Sequence, residues 1–304
     1  MNTTFKHLFL LFLLFGYFSS LLPQEKKFPR EVKWGKTSIT LEKKPERILV
    51  TYVSALEILE KLVDEKRIVG GPKFALEPKY SNCVEFAKKI PVLFDTPDME
   101  MIEKCNPDIV VLASFNDPKL LEMLKSFKRK FIVLDKFDSY ADICETITFF
   151  GELTGEEEKA EALIKKMNSE LKSIQENWPK QKPRVMTFGY NSYSAGSGTI
   201  FGEMVSKAGC ENVAATHGIK GHQQIDYEQL IKMNPDWFVI YSVETDAKEK
   251  FLLEMKKNPA FPFVKALKDS QIIVLSPSYG TTASQYFVNG VKELSQKIKE
   301  LEKK

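Results

Sequence analysis

Asp98-Met-Glu100-Met-Ile-Glu-Lys104-Cys-Asn106-Pro107-Asp108-Ile-Val-Val111-Leu-Ala-Ser114 recurs, without a gap, as Asp226-Tyr-Glu228-Gln-Leu-Ile-Lys232-Met-Asn234-Pro235-Asp236-Trp-Phe-Val239-Ile-Tyr-Ser242. Eight of the seventeen positions are identical at an offset of 128 residues. Both copies read as a short helix stopped at Asn-Pro, because proline disfavours the helical conformation at the residue before it. An unbroken apolar run follows each, at 109–112 and at 237–241. Such runs suit strands of a parallel sheet covered on both faces.

The repeat extends outward. Lys44-Pro45-Glu-Arg47 opens an apolar run at 48–52, and Lys182-Pro183-Arg184 opens one at 185–190. Each leads into a helical stretch and then to glycine, Gly70-Gly71 in one half and Gly209 in the other. A further apolar run closes each half, at 131–134 and 272–275. Strands alternating with helices over about 100 residues indicate a parallel α/β unit. The expected fold is therefore α/β, with two Rossmann-like lobes over residues 28–150 and 182–304, each a parallel sheet flanked by helices.

Between them, residues 151–179 are rich in Glu, Lys, Ala and Leu. Thr154 and Glu157 match a capping box, and Pro179 closes the far end. Ala160, Leu163, Ile164, Met167, Leu171 and Ile174 recur at spacings of three and four, which gives one buried stripe. A helix over 155–177 would be about 35 Å long. One long rigid helix joining two lobes predicts small lobe movements about a preformed cleft.

Composition narrows the function. The 304 residues accommodate two domains, and 43% hydrophobic content supplies both cores. Net charge is +3 with no Lys/Arg block, so nucleic acid is excluded as a partner. Lys6 and His7 precede an apolar run at 8–22 that ends at Pro23 and Glu25-Lys26-Lys27. At about 15 residues it is short for a bilayer span of about 20 and suits a signal-peptide core. Residues 1–23 are read as a secretory signal, with an uncleaved anchor as the alternative; either places the remainder outside the cytoplasm, in the periplasm. Cys83, Cys105, Cys144 and Cys210 form no C-x-x-C pair, which excludes a zinc ribbon or a thioredoxin-type motif. Buried free thiols are expected, a Cys83–Cys105 bridge being the alternative.

Ligands of open α/β sheets sit outside the carboxyl ends of the strands. Those ends carry Tyr52, Ser54, Ser114, Phe115, Asn116, Tyr190, Asn191, Tyr193, Tyr241 and Tyr279, while Phe74, Tyr80 and Phe94 lie on loops of the first half. Aromatic groups at several separate strand ends suit a large, flat, partly apolar ligand. His217 and His222 share one glycine-flanked loop, either as ligands to a bound metal chelate or as a solvated loop. With His7 in the leader, two histidines remain, so a three-His zinc site cannot form. Gly196-Ser-Gly198 has Phe201 where a dinucleotide fingerprint needs its third glycine, and no P-loop, G-x-S-x-G or H-E-x-x-H occurs. No catalytic residue, cofactor or direct metal site is assigned.

Trp34-Gly35-Lys-Thr37-Ser-Ile39, Lys44-Pro45-Glu-Arg47-Ile48, the two Asn-Pro-Asp triplets and Gly209-Cys-Glu-Asn212-Val213-Ala214 together carry a resemblance. The chain resembles, over nearly all of residues 28–300, the periplasmic substrate-binding proteins of ABC importers for ferric siderophores, haem and cobalamin, the class with one long inter-lobe helix. It departs at Cys210, where a second glycine is usual, and in lacking the lipobox of many relatives. The resemblance implies a monomer that captures a metal chelate in the inter-lobe cleft and docks onto a permease driven by a separate ATPase. It also implies that Glu100 and Glu228 meet Arg clusters on the permease. Which chelate is carried stays open; a haem cargo would call on Tyr193, Tyr80, His217 or His222 as iron ligand. Two other classes remain: a two-lobed transferase or chelatase, and an adhesin or sensor on the same fold.

Overall fold

The computed structural model describes residues 28–178, 181–189, 192–280 and 282–301, so the leader 1–23 lies outside the described residues. Helices of seven residues or more are labelled. The first lobe opens with an antiparallel hairpin, β1 (Arg30–Trp34) and β2 (Thr37–Leu41), turning at Gly35 with φ +55°. It continues through β3 (Ile48–Val50), α1 (Val53–Leu62), β4 (Ile68–Pro72), β5 (Leu93–Phe94) and α2 (Met99–Cys105). It ends with β6 (Ile109–Ala113), α3 (Pro118–Ser126), β7 (Phe131–Leu134) and α4 (Tyr140–Thr154). The helix α5 (Glu157–Gln175) leads to the second lobe. That lobe comprises β8 (Arg184–Thr187), β9 (Tyr193–Ala195), α6 (Ile200–Lys207), β10 (Glu211–Asn212) and β11 (His222–Gln224). Then come α7 (Tyr227–Met233), β12 (Trp237–Tyr241), α8 (Ala247–Met255), β13 (Ile272–Leu275) and α9 (Phe287–Leu301).

Strands β5-β4-β3-β6-β7 form one parallel sheet and β10-β8-β12-β13 another, while β9 and β11 pair antiparallel on their own. The α/β reading with parallel sheets flanked by helices is what the chain adopts. In each sheet the strand order reverses once, between β3 and β6 and between β8 and β12.

The repeated segments behave alike to the residue. Asp98 and Asp226 cap their helices by accepting from the Met101 and Gln229 amides. Asn106 and Asn234 end them in the left-handed conformation, at φ 40° and 39°. Asparagine tolerates that conformation, and the following proline forbids the helical alternative. Asp108 Oδ2 then accepts from the Glu46 and Arg47 amides at 2.8 and 3.0 Å, and the Arg47 guanidinium donates to the Asn106 and Cys105 carbonyls. In the second lobe Asp236 Oδ2 accepts from the Arg184 amide at 3.1 Å, and Arg184 donates to the Asn234 and Met233 carbonyls. Pro-x-Arg or Pro-Arg and Asn-Pro-Asp are thus two halves of one clasp. It joins the start of the first strand (β3 or β8) to the end of the helix before the next central strand.

The connecting helix differs from expectation at its start. Thr154 is the last residue of α4, its hydroxyl donating to the Phe150 carbonyl at 2.6 Å, so no capping box forms with Glu157. Gly155 at φ +70° breaks the chain, and α5 starts two residues later, about 28 Å long. Gly151 is required here, because a Cβ on it would lie 2.7 Å from that of Ala160. The stripe does face inward: Ala160 and Met167 are buried, and Leu163, Ile164, Leu171 and Ile174 pack beside them. The same apolar cluster takes in Leu56, Leu59 and Phe150 from the first lobe and Val205, Phe287 and Leu294 from the second.

A second connection lies at the opposite ends of the chain. Glu57 of α1 is fully buried; one carboxylate oxygen accepts from the Asn82 amide and side chain, both at 2.8 Å. The other accepts from the hydroxyls of Thr282 and Ser284 at 2.5 and 2.6 Å, and Gln285 donates to the Glu57 carbonyl. Asn82 also donates to the Ser278 carbonyl, so this latch ties α1 to the segment after β13. None of the four cysteines forms a disulfide, so the Cys83–Cys105 bridge is not made; Cys83, Cys105 and Cys210 are buried and Cys144 is half-buried, and burial pushes the Cys83 thiol up to about 12.

Arg47→Ala and Arg184→Ala each leave carbonyls of a helix end without their donor, and each is expected to cost about 1–2 kcal/mol in urea unfolding. Glu57→Ala orphans several buried donors and is expected to cost about 3 kcal/mol. Burial raises the Glu57 carboxyl pKa against the lowering effect of Ser284, Thr282 and Asn82. A raised folded value makes its contribution complete below the ordinary 4.5 and lost as pH rises through that value. The stability advantage of the native chain over Glu57→Gln should therefore shrink from acid toward neutral pH.

Candidate functional site

The central strands of the first sheet end at Val50 and Ala113, and residues just beyond them line a cleft. Thr51 and Tyr52 follow β3, and Phe115 and Asn116 follow β6, at the point where strand order reverses. They open a cleft of about 880 Å³ whose walls add Phe74, Tyr80 and Phe137. Asn116 sets the corner: its Oδ1 accepts from the Thr51 hydroxyl at 2.7 Å and from the Ala113 amide at 2.8 Å. Thr282 and Ala283 reach the same cleft from the second lobe, held there by the Glu57 latch and by the Ala283 amide donating to Ser54 Oγ.

The cleft floor is aromatic. Tyr52, Phe115 and Phe137 form a mutual cluster with centroids 5.6–6.2 Å apart, and Phe74 meets Tyr80 edge to face at 5.9 Å. Phe115 is 70% exposed, which is unusual for a phenylalanine and leaves one face open to a ligand. The Tyr52 hydroxyl is buried without a hydrogen-bond partner, and burial raises its pKa beyond the ordinary range for a phenol.

The second sheet opens a cleft of about 1170 Å³ at its own reversal point, lined by Phe188 and Gly189 after β8 and by Tyr241 and Ser242 at the end of β12. Tyr241 lies against Gly280, where any Cβ would fall 1.8 Å from its ring, so glycine there is what admits the tyrosine. Its hydroxyl, like that of Tyr52, is buried and unpartnered, and burial raises its pKa.

Tyr52, Phe74, Tyr80 and Phe115 are therefore brought into one cleft, and Tyr241 lines the other. The remaining expected residues go elsewhere. Phe94 is buried under the first sheet with Val69, Met99 and Ile102, because its short edge strand turns that side chain into the core. Tyr279 packs on α9 at Gly290 and lines neither cleft. Tyr193 stands half-exposed on β9 opposite Gln224. His217 is an exposed helix end whose Nδ1 lies 2.9 Å from the Val213 carbonyl, and His222 is an exposed residue of β11. Neither histidine lines either cleft. Tyr190 and Asn191 lie outside the described residues.

Phe137, Asp95, Thr96, Asp117, Thr282 and Ala283 were not among the expected residues. Phe137 had a signal, since it stands three residues beyond β7 at a strand carboxyl end. The 282–283 segment had none, because only the latch brings it to the first lobe. Glu100 and Glu228 each sit exposed in the first turn of their helices, and neither forms an ion pair among the described residues. No group of His, Cys, Asp and Glu able to hold a metal ion occurs among the described residues, and no helix there is long and apolar enough to cross a membrane.

The chain is similar to known proteins. YvrC of Bacillus subtilis, described as an uncharacterized ABC transporter substrate-binding lipoprotein, is 26% identical over 270 residues, or 86% of this chain and 82% of that one. IsdE of Staphylococcus aureus, a high-affinity haem uptake system protein, is 28% identical over 250 residues, 78% of this chain and 82% of its own. The crystal structure of a possible iron-binding, periplasmic solute-binding protein from Staphylococcus epidermidis superposes with a TM-score of 0.72 at 26% identity, covering 84% of this chain and 99% of that one. The periplasmic binding protein family model matches residues 48–279, and the chain belongs to that family.

Proposed function

We propose that this protein is the extracytoplasmic cargo-capturing component of an ABC importer and that its cargo is a metal chelate: a ferric siderophore, haem or a cobalamin. The observation that carries this reading is the first cleft. It places a large aromatic floor at a strand-order reversal, next to residues of the other lobe, and its lining holds no histidine or cysteine. Such a site can enclose and stack on a large, partly apolar ligand. The relatives' names point the same way.

Recognition by stacking makes the open face of Phe115 a principal contact, with Tyr80 and Phe74 closing from the loop side. Were the cargo haem, Tyr80 would be the iron-facing group in the first cleft in place of either histidine, since its ring is 45% exposed there. Delivery uses Glu100 and Glu228. One exposed carboxylate per lobe, at equivalent helix positions, suits a permease built of two subunits, each offering cationic groups for charge-assisted bonds.

Isothermal titration of the chain from Gln24 onward with ferric siderophores, haem and cobalamin should give saturable binding of one class at one ligand per chain. No binding by any of them would defeat the reading. Phe115→Ala should weaken that binding about tenfold while leaving the melting temperature unchanged, because the side chain is already exposed. Combined Glu100→Ala and Glu228→Ala should leave cargo affinity intact and abolish uptake by cells that carry the importer. Undiminished uptake would remove the docking assignment.

A further inference from the structure

We propose that the cleft selects chelates without net negative charge, uncharged or cationic, that present a broad apolar face. This rests on the transport reading above and goes further by naming the charge class of the cargo.

Among the described residues, the charged groups lining the first cleft are Asp95 and Asp117, both acidic. Of the lysines next to lining residues in the chain, Lys73 and Lys79 each have a partner at the cleft and Lys136 is held by Glu145, while Lys119 is exposed and forms no ion pair among the described residues. Lys73 Nζ lies 3.4 Å from Asp95, and Lys79 lies 4.8 Å over the ring of Tyr80. Asp117 accepts from the Lys119 amide at 2.9 Å and has no cation against it among the described residues. The second cleft carries Lys250 and Lys257 against Glu244 and Glu254, with Lys250 held by Glu244 at 2.7 Å and by Asp246 at 3.2 Å. The lining thus carries no excess of positive charge, and no arginine appears in either cleft.

Polyanionic chelates and carboxylate-bearing macrocycles are recognised by guanidinium or ammonium groups that pay back their desolvation. Here a polyanion would lose hydration against the aromatic floor and meet the exposed carboxylates of Asp95 and Asp117 rather than a guanidinium. An uncharged chelate loses little hydration and gains the aromatic floor; a cationic one also gains Asp117 and Asp95.

The test is calorimetric titration of the chain from Gln24 onward at low and at high salt. The probes are an uncharged and a cationic ferric trihydroxamate and cyanocobalamin, set against a trianionic ferric tris-catecholate and haem. The uncharged or cationic probes should bind at least about 100-fold tighter than the anionic ones at low salt. Asp95→Asn with Asp117→Asn should narrow that gap about tenfold or more, with asparagine keeping the cap at position 117. Tightest binding of the catecholate or of haem overturns the charge assignment and leaves the transport reading standing. An unchanged gap in the double variant overturns it as well, because selection would not then come from these carboxylates. If no probe binds, the charge assignment and the transport reading fall together.

Discussion

Each lobe depends on one clasp, in which a strand-opening arginine and the aspartate of Asn-Pro-Asp exchange hydrogen bonds across the start of two neighbouring strands. Asp108 receives the amides of Glu46 and Arg47 while Arg47 returns its guanidinium to the helix end at Cys105 and Asn106. Asp236 and Arg184 do the same for Met233 and Asn234. The clasp sets the register of β3 against β6 and of β8 against β12, the pairs between which strand order reverses. Because it anchors the amino ends, the carboxyl ends of those same strands separate into clefts at a defined place.

Two connections of different chemistry hold the lobes together. Along one side, α5 buries an apolar stripe in a cluster shared by helices of both lobes. On the other, the buried Glu57 accepts four hydrogen bonds, two of them from residues that follow β13. Apolar packing resists separation but is not directional, whereas the latch is directional and fixes where Thr282 and Ala283 meet the first cleft. A rotation that separated the lobes widely would have to break these buried hydrogen bonds.

The candidate site was legible in part. Residues at or just past the end of a central strand, such as Tyr52, Phe115 and Tyr241, follow from the rule that ligands meet strand carboxyl ends, and they do line clefts. Residues between the central strands divided: Phe74 and Tyr80 face the cleft, while Phe94, in the short edge strand β5, turns into the core. The glycine-flanked histidines could be read as chelate ligands or as a solvated loop; pairing of β11 with β9 holds His222 at an exposed position, and neither histidine lines either cleft. Thr154 shows the same limit at a helix boundary. Its residue type fits a cap, but Gly155 behind it takes the turn and leaves it closing the preceding helix.

What can be read from the chain alone is whatever depends on near neighbours. The duplicated Asn-Pro-Asp, the apolar runs of the two sheets and the inward stripe of α5 are properties of spacing along one segment, and local sterics enforce them wherever the segment lies. What required the folded molecule is every contact between distant segments. Glu57 reaches Thr282 and Ser284 across more than two hundred residues, Tyr241 is admitted by Gly280, and Asp117 lines the cleft with no ion pair among the described residues. Those pairings are set by strand order and by the lobes' docking, which no periodicity encodes, and they decide the charge and shape that a ligand meets.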